Sequence, residues 1–385
     1  MKTFISYAVG IAVSAPLAFQ LAASEMARAD DDVTDLYFQE VIERYYENPQ
    51  NARSFGMGGS ITQTSRDSSN VFGNPAGLGL MQGGEASATY SRNTISGAEY
   101  PTGAEVEQNS DMGSAQLAVP IGPREQGLPE YGNFGLGWGT VDSKWDDDTF
   151  DTLAKRTQVT AAYAYGLSKD ASVGYSLGWV RDKFQSRAIF DYPMSDGFRH
   201  TLGATFAADE NLTMGVSAMV GHGNHHALYG PGIETDSRTF EAGFDVGATL
   251  NMEGTLVSVG ADYRHLSTDG AVVSSIPQNV VGGDENGNLY NLRLGVEAPV
   301  SDMVAVRAGY RFAGLANYKY NRVELNDLNG SANYHAMSLG AGVKFAIDDP
   351  YIKSVNLDYG VEYRVVGDND WQHVVTLGVP FNLCG

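Results

Sequence analysis

The residues best able to do chemistry in this chain are charges set at even spacings. Glu241 and Asp245 lie four apart, as do Arg293 and Glu297, and Arg307 and Arg311, while Asp262 and Arg264 lie two apart. Asp358, Glu362 and Arg364 repeat the pattern, and Lys344 stands in a similar run. Even spacing returns a strand residue to the same face, so these twelve side chains are expected to line one charged wall and to form cross-strand ion pairs. Other constellations carry less. His222, His225 and His226 are metal-ligand types, but no carboxylate completes a site, and they are read as a solvated loop. Asp146, Asp147, Asp148 and Asp151 lack the spacing of a calcium loop and are read as surface charge. Nucleophilic catalysis needs a matched Ser, His and third group. His373 falls on the opposite, apolar face without an inward Ser partner, so no enzyme activity and no cofactor are expected. Cys384, the sole cysteine, supports neither a disulfide framework nor a thiolate metal site.

The elements that position these charges are long alternating strands. Phe240, Ala242, Phe244, Val246, Ala248 and Leu250 share one side of a run whose other side carries Glu241 and Asp245. The same division recurs around Leu292, around Val306 and around Leu357. Apolar runs of about 10 residues suit a tilted strand crossing a bilayer, whereas soluble sandwich strands are typically ~5–6 residues. Strands are expected near 85–93, 112–121, 132–144, 155–167, 171–184, 198–208, 212–222, 236–250, 255–268, 287–299, 303–315, 333–346, 353–366 and 370–383. Connections are tight at 168–170, 209–211, 251–254 and 301–302, and longer and polar at 94–111, 145–154, 185–197, 223–235, 269–286 and 316–332. Short turns at one end and long loops at the other describe an outer-membrane barrel. The fold class read here is therefore all-β, a transmembrane antiparallel β-barrel of about fourteen strands. Trp371, Val375, Leu377 and Phe381 end the chain with alternate bulky residues. Between strands three and seven the inward positions are small and neutral, from Gly135 and Gly137 to Gly203, Gly215 and Ser217, which leaves space for a plug or a weakly polar ligand.

Composition agrees. With 25 Lys and Arg against 46 Asp and Glu, the net charge of −21 excludes a basic nucleic-acid binder. Lys2, the apolar stretch from Phe4 to Ala23 and the small-x-small pattern at Ala27–Ala29 form a signal peptide over residues 1–29, in preference to a membrane anchor. Residues 30–84 show no strand pattern. About fourteen strands enclose a lumen that wall side chains cannot fill, so this segment is expected to be an N-terminal plug, with an amphipathic helix from Thr34 to about Glu47. Residues 85–385 form the barrel.

Within 30–84 the order is Gly56-Met57-Gly58-Gly59, then Asp67, then Asn74-Pro75-Ala76-Gly77-Leu78, directly before the first strand. Close glycines permit tight backbone approach, and Asn-Pro forms turns. A phosphate-binding reading fails because no strand precedes the glycines. The segment resembles the N-terminal signature of the FadL-type hydrophobic-compound transporters and of the related PorV-type barrels. That resemblance implies a fourteen-stranded barrel with Asn74, Pro75 and Ala76 in a hatch. For the transporters it implies passage of long-chain fatty acids or hydrocarbons, with exit through a gap in the wall. For the PorV-type proteins it implies a scaffold or shuttle for exported surface proteins, and the Gly-Met-Gly-Gly form leans that way. A general porin is the third reading. The partners implied are outer-membrane lipid, a hydrophobic small molecule or exported surface proteins, with no nucleic acid, in the outer membrane of a Gram-negative bacterium.

Overall fold

The computed structural model describes residues 51–99, 105–125, 128–146, 151–186, 194–228, 233–274, 283–322, 325–352, 354–365 and 370–382. The signal segment and the helix expected over 34–47 lie outside the described residues. Two short helices come first, α1 (Ala52–Gly56) and α2 (Ala76–Gly79), with a 3-10 turn at Ser68–Val71 between them. The first wall strands are β1 (Gly84–Glu99) and β2 (Glu105–Pro120), followed by a small hairpin of β3 (Arg124–Glu125) and β4 (Leu128–Pro129). The wall continues with β5 (Asn133–Asp146), β6 (Asp151–Ser168), β7 (Ala171–Ser186), β8 (Met194–Ala207), β9 (Leu212–Leu228) and β10 (Ile233–Met252). It is completed by β11 (Thr255–Ser274), β12 (Gly283–Pro299), β13 (Val304–Arg322), β14 (Leu325–Ala346), β15 (Ser354–Val365) and β16 (Asp370–Phe381).

Fourteen of these strands form a closed barrel in chain order, with β2 joined to β5 past the small hairpin and β1 closing onto β16. Every neighbouring pair is antiparallel. Closure removes the unpaired edge that hydrocarbon would not tolerate. The alternation has a physical partner on each side. On β10, Phe240, Phe244, Val246 and Leu250 are exposed while Glu241 and Thr249 are buried, and on β16 Trp371, Val375 and Leu377 are exposed while Gln372 and Thr376 are buried. A water-soluble fold buries its large apolar side chains; this one buries polar ones and presents Leu202 at 63% and Leu339 at 62% exposure. That inversion fits a lipid-covered exterior. Among the described residues no helix is long and apolar enough to cross a membrane.

Strand lengths differ from expectation. The wall strands range from 12 residues in β15 and β16 to 22 in β14, so the long connections expected at 94–111, 223–235, 269–286 and 316–332 are largely ladder. The cause is solvent. Past the hydrocarbon both faces of a strand are wet, so apolar alternation stops, but antiparallel hydrogen bonding does not. Likewise the segment between β2 and β5 is not bare loop, since Arg124 pairs with Pro129 and Glu125 with Leu128.

Candidate functional site: the plugged lumen

Residues 51–82 pack inside the wall. Asn51 starts α1 by accepting the Ser54 amide through Oδ1 at 2.7 Å, and Asp67 caps the 3-10 turn by accepting from the Ser69 amide at 3.0 Å. Asn74 orders the entry to α2, its Oδ1 accepting from the Ala76 amide at 3.1 Å. Gly58 and Gly59 have φ of +63° and +78°, a conformation that L side chains rarely adopt, and a Cβ on Gly58 would press on the Tyr310 backbone. Gly56 lies against Gly340, and a Cβ on Gly77 would overlap the Ser65 carbonyl and the Asn70 side chain. The motif glycines thus let backbone meet backbone.

The wall answers with glycines of its own. A Cβ on Gly309 would strike Met57 and Gly58, one on Gly203 the Asn74 side chain, and one on Gly215 the Gln63 carbonyl. Gly174 faces Pro75 and Ala76, and Gly135 faces Val71 and Leu78. Polar contacts follow the same circuit. The Asn74 amide donates to the Gln63 carbonyl at 3.1 Å, the Ala204 carbonyl at 3.2 Å and Thr205 Oγ1 at 3.0 Å. Ser172 Oγ donates to the Ala76 carbonyl at 2.7 Å, Asn133 Nδ2 to the Leu78 carbonyl at 2.7 Å, and the Ala52 amide to Thr376 Oγ1 at 2.8 Å. Ser60 meets Ser258, and Thr64 Oγ1 meets Thr249 Oγ1 at 2.5 Å. The neutral inward positions are therefore filled by residues 51–82.

The charged positions form three groups. On the side of the tight turns, Glu297 is shared between the plug and the wall. Arg53 Nε and Nη2 reach its two carboxylate oxygens at 2.8 and 2.7 Å, Arg307 Nε reaches it at 2.6 Å, and Arg307 Nη1 continues to Asp358 at 2.7 Å. Burial opposes the charge of Arg53, but the Glu297 carboxylate outweighs it and holds the guanidinium more firmly protonated than usual. Beyond the plug, Glu241 pairs with Arg199 at 2.9 Å and Arg264 at 3.7 Å, and Arg293 joins Asp245 at 3.4 Å to Asp262. The third group runs from Arg311 to Glu362 at 2.6 Å, Glu362 to Arg364 at 3.2 Å, and on through Gln372 to Ser91. Glu362 and Arg364 are almost wholly buried. Lys344 is not part of any group; it is exposed at the tight-turn end of β14.

The strand ladders run past the plug on all sides, and of the five register shifts only that at Gly166/Ser168 lies beside it. No gap in the wall interrupts the described strands at plug level. His222 is an exposed, outward-facing residue of β9 rather than a loop residue, and the His225 and His226 side chains and Asp147 and Asp148 lie outside the described residues. No three His, Cys, Asp or Glu among the described residues gather as metal ligands.

Residues 201–382 match the family described as outer membrane protein beta-barrel domain. The fold is shared with a Pseudomonas aeruginosa FadL homologue at TM-score 0.58 and 14% identity, covering 87% of this chain and 98% of that one. It is shared also with a deletion mutant of the monoaromatic hydrocarbon channel TodX, at TM-score 0.58 and 14% identity over 87% and 99% of the two chains. The Ralstonia pickettii toluene transporter TbuX gives TM-score 0.55 and 13% identity over 88% and 100%. No curated protein matches the sequence. This is an outer-membrane β-barrel.

Sequence reasoning missed parts of the barrel lumen. Arg156 and Arg199 sit in the half read as neutral, yet both are buried, and Arg199 reaches Glu241. That half is neutral only where the plug touches it. Arg53 was also missed, because no periodicity marks a plug residue. A legible signal went unused: inward glycines continue into Gly247, Gly260, Gly295, Gly309, Gly340 and Gly360, all on the strands read as charged and all against the plug.

Proposed function

We propose that this barrel carries small hydrophobic compounds across the outer membrane, by displacement of residues 51–82 from a lumen they otherwise fill. The observation that supports this reading is the stopper itself. It is held to the wall mainly by neutral hydrogen bonds and glycine contacts, with an ionic tie through Arg53 and two hydrogen bonds from Ser68 to the Glu85 carboxylate of β1; when it leaves, Glu297 keeps Arg307. The structures sharing the fold include proteins described as monoaromatic hydrocarbon channels and toluene transporters, and a monoaromatic hydrocarbon is the first substrate to test, a long-chain fatty acid the second. Entry is from the outer end and release is toward the periplasm. The hatch motif Gly56, Gly58, Gly59, Asp67, Asn74, Pro75, Ala76 and Gly77 acts as the folded unit that moves, and the charged wall keeps the remaining lumen from collapsing onto the vacated space.

The test is uptake with a reversible lock. In a Cys384→Ser background, Ser60→Cys with Ser258→Cys places two thiols where two hydroxyls already touch, within reach of a disulfide of ~2.05 Å. Cells expressing the oxidised variant should take up labelled toluene no faster than cells without the barrel, and reduction should restore uptake. Equal uptake in the locked and reduced states rejects plug-dependent transport. A scaffold for exported proteins is the second reading, favoured by the buried ion pairs that fill the lumen and by the unbroken wall. It predicts no uptake in either state and co-purification of surface proteins.

A further inference from the structure

The outer surface carries a pattern that a passage through the lumen does not use. Of the seven histidines in the chain, His200, His222, His265, His335 and His373 all lie on the lipid-side face of the barrel. Each stands one step outward of an apolar or aromatic residue of the same face, Leu202, Val220, Tyr263, Met337 and Val375 for the five in turn, and Phe198 and Trp371 lie one step further out beside His200 and His373. Three of them are built alike. Tyr175 is in register with Leu202, Tyr310 with Met337 and Tyr359 with Val375, and in each case the tyrosine hydroxyl reaches the histidine two residues beyond its register partner. The hydroxyl-to-Nδ1 distances are 2.7 Å for His200, 2.5 Å for His335 and 2.7 Å for His373. A fourth tyrosine, Tyr263, shares Asn288 Oδ1 with His265 Nδ1, at 2.6 and 3.0 Å. His222 stacks on His200 with ring centroids 5.9 Å apart.

Such repetition has a chemical consequence. A neutral imidazole carries one N–H and one bare nitrogen, and the partner of the first decides which is which. A phenol donating to Nδ1 places the proton on Nε2. The rings of His200, His335 and His373 then each offer an Nε2–H on the lipid-side face, whereas His265 donates its Nδ1–H to Asn288 Oδ1. Three acidic groups of the described outer surface are already engaged: Asp111 accepts from Tyr90 at 2.6 Å, Asp196 pairs with Arg181 at 3.1 Å and Asp142 with Lys155 at 3.1 Å. Arg92, exposed and in register with His373, adds a guanidinium beside the third pair. On a chain of net charge −21, this belt presents donors rather than carboxylates to the headgroup layer.

We propose that the tyrosine–histidine belt binds the phosphoryl groups of an anionic glycolipid in the outer leaflet. Phosphate oxygens accept several hydrogen bonds at once, and the belt supplies fixed donors toward the outer end of the lipid-side face. The tyrosines are positioning residues; the imidazole N–H groups make the contact.

Native mass spectrometry of the detergent-purified full barrel provides the test, with bisphosphorylated lipid A as probe and monophosphorylated lipid A as its comparison. The wild-type protein should retain the bisphosphorylated form at least about tenfold more strongly, the equivalent of the weakest net hydrogen bond to a charged group. The triple variant His200→Gln, His335→Gln and His373→Gln should lose that preference. The triple variant Tyr175→Phe, Tyr310→Phe and Tyr359→Phe, which keeps the rings and frees the tautomer, should lose part of it. Folding of each is checked by heat-modifiable migration on a denaturing gel. Equal retention of the two lipids by the wild-type protein, or an unchanged preference in the folded histidine variant, overturns the proposal.

Discussion

Replacing Arg53 with Met isolates the ionic tie between plug and wall. The change removes two charged hydrogen bonds, at 2.8 and 2.7 Å to Glu297, while keeping most of the side-chain volume. A hydrogen bond to a charged group contributes about 1.5–3 kcal/mol. The low end applies here, for two reasons. The Arg53 side chain is 32% exposed, so water already competes, and Glu297 is not stranded, because Arg307 remains at 2.6 Å. A loss of about 1.5 kcal/mol raises the population of the plug-displaced state roughly tenfold. Hydrogen–deuterium exchange of the barrel in lipid nanodiscs reads this directly, since amides exchange through local opening. Peptides covering 51–66 should exchange about tenfold faster in Arg53→Met, and peptides from β10 and β11 should be unchanged. Arg181→Met is the control, because its pair with Asp196 is exposed on the outer face. If the plug peptides exchange at the wild-type rate, or if the control accelerates them equally, the tie does not hold the plug.

Gly309→Val sets a branched side chain where Met57 and Gly58 now lie, and backbone cannot yield as a flexible side chain does; planar-bilayer recordings should show steady ion conductance where the wild-type barrel is mostly closed. Leu202→Arg places a charge on the lipid face, where Leu202 is 63% exposed, and should destabilise the folded barrel by up to about 2–4 kcal/mol, seen as a lower urea midpoint for refolding into vesicles. Asp349, in the turn after β14, accepts from the Ile352 and Tyr351 amides, which hold its carboxyl below the usual range. A group depressed in the folded state stabilises above its unfolded value of ~3.9 and loses that contribution as pH falls through the folded value, so the carboxyl carbon signal of Asp349 should titrate with a midpoint below ~3.9.

The barrel was legible wherever its two faces meet different media. Phe240 to Leu250 alternates because every second residue touches hydrocarbon, and the parity read there places Glu241 and Asp245 inside. Parity also put Glu362 and Arg364 on one wall, though not their route through Gln372 to Ser91, since a partner on a neighbouring strand depends on register and sequence alone does not give it. The outer ends of β9 to β14 were illegible for the reason that they are wet on both faces. In the plug, the glycines of Gly-Met-Gly-Gly announced a backbone constraint, whereas the surface they meet, Tyr310 and Gly340, is hundreds of residues away. Arg199 was overlooked because small neighbours such as Gly203 dominate its strand.

The central claim is that alternate residues face lipid while their neighbours enclose a lumen filled by residues 51–82. Spin labels placed singly at each position from 240 to 250, and at Ile61, test it through collision with oxygen, which concentrates in the bilayer. In vesicles the account predicts high oxygen accessibility at 240, 242, 244, 246, 248 and 250, low values at the odd positions, and shielding at 61 from both oxygen and a water-soluble nickel reagent. A flat profile along 240–250, or ready access of the nickel reagent to position 61, contradicts it.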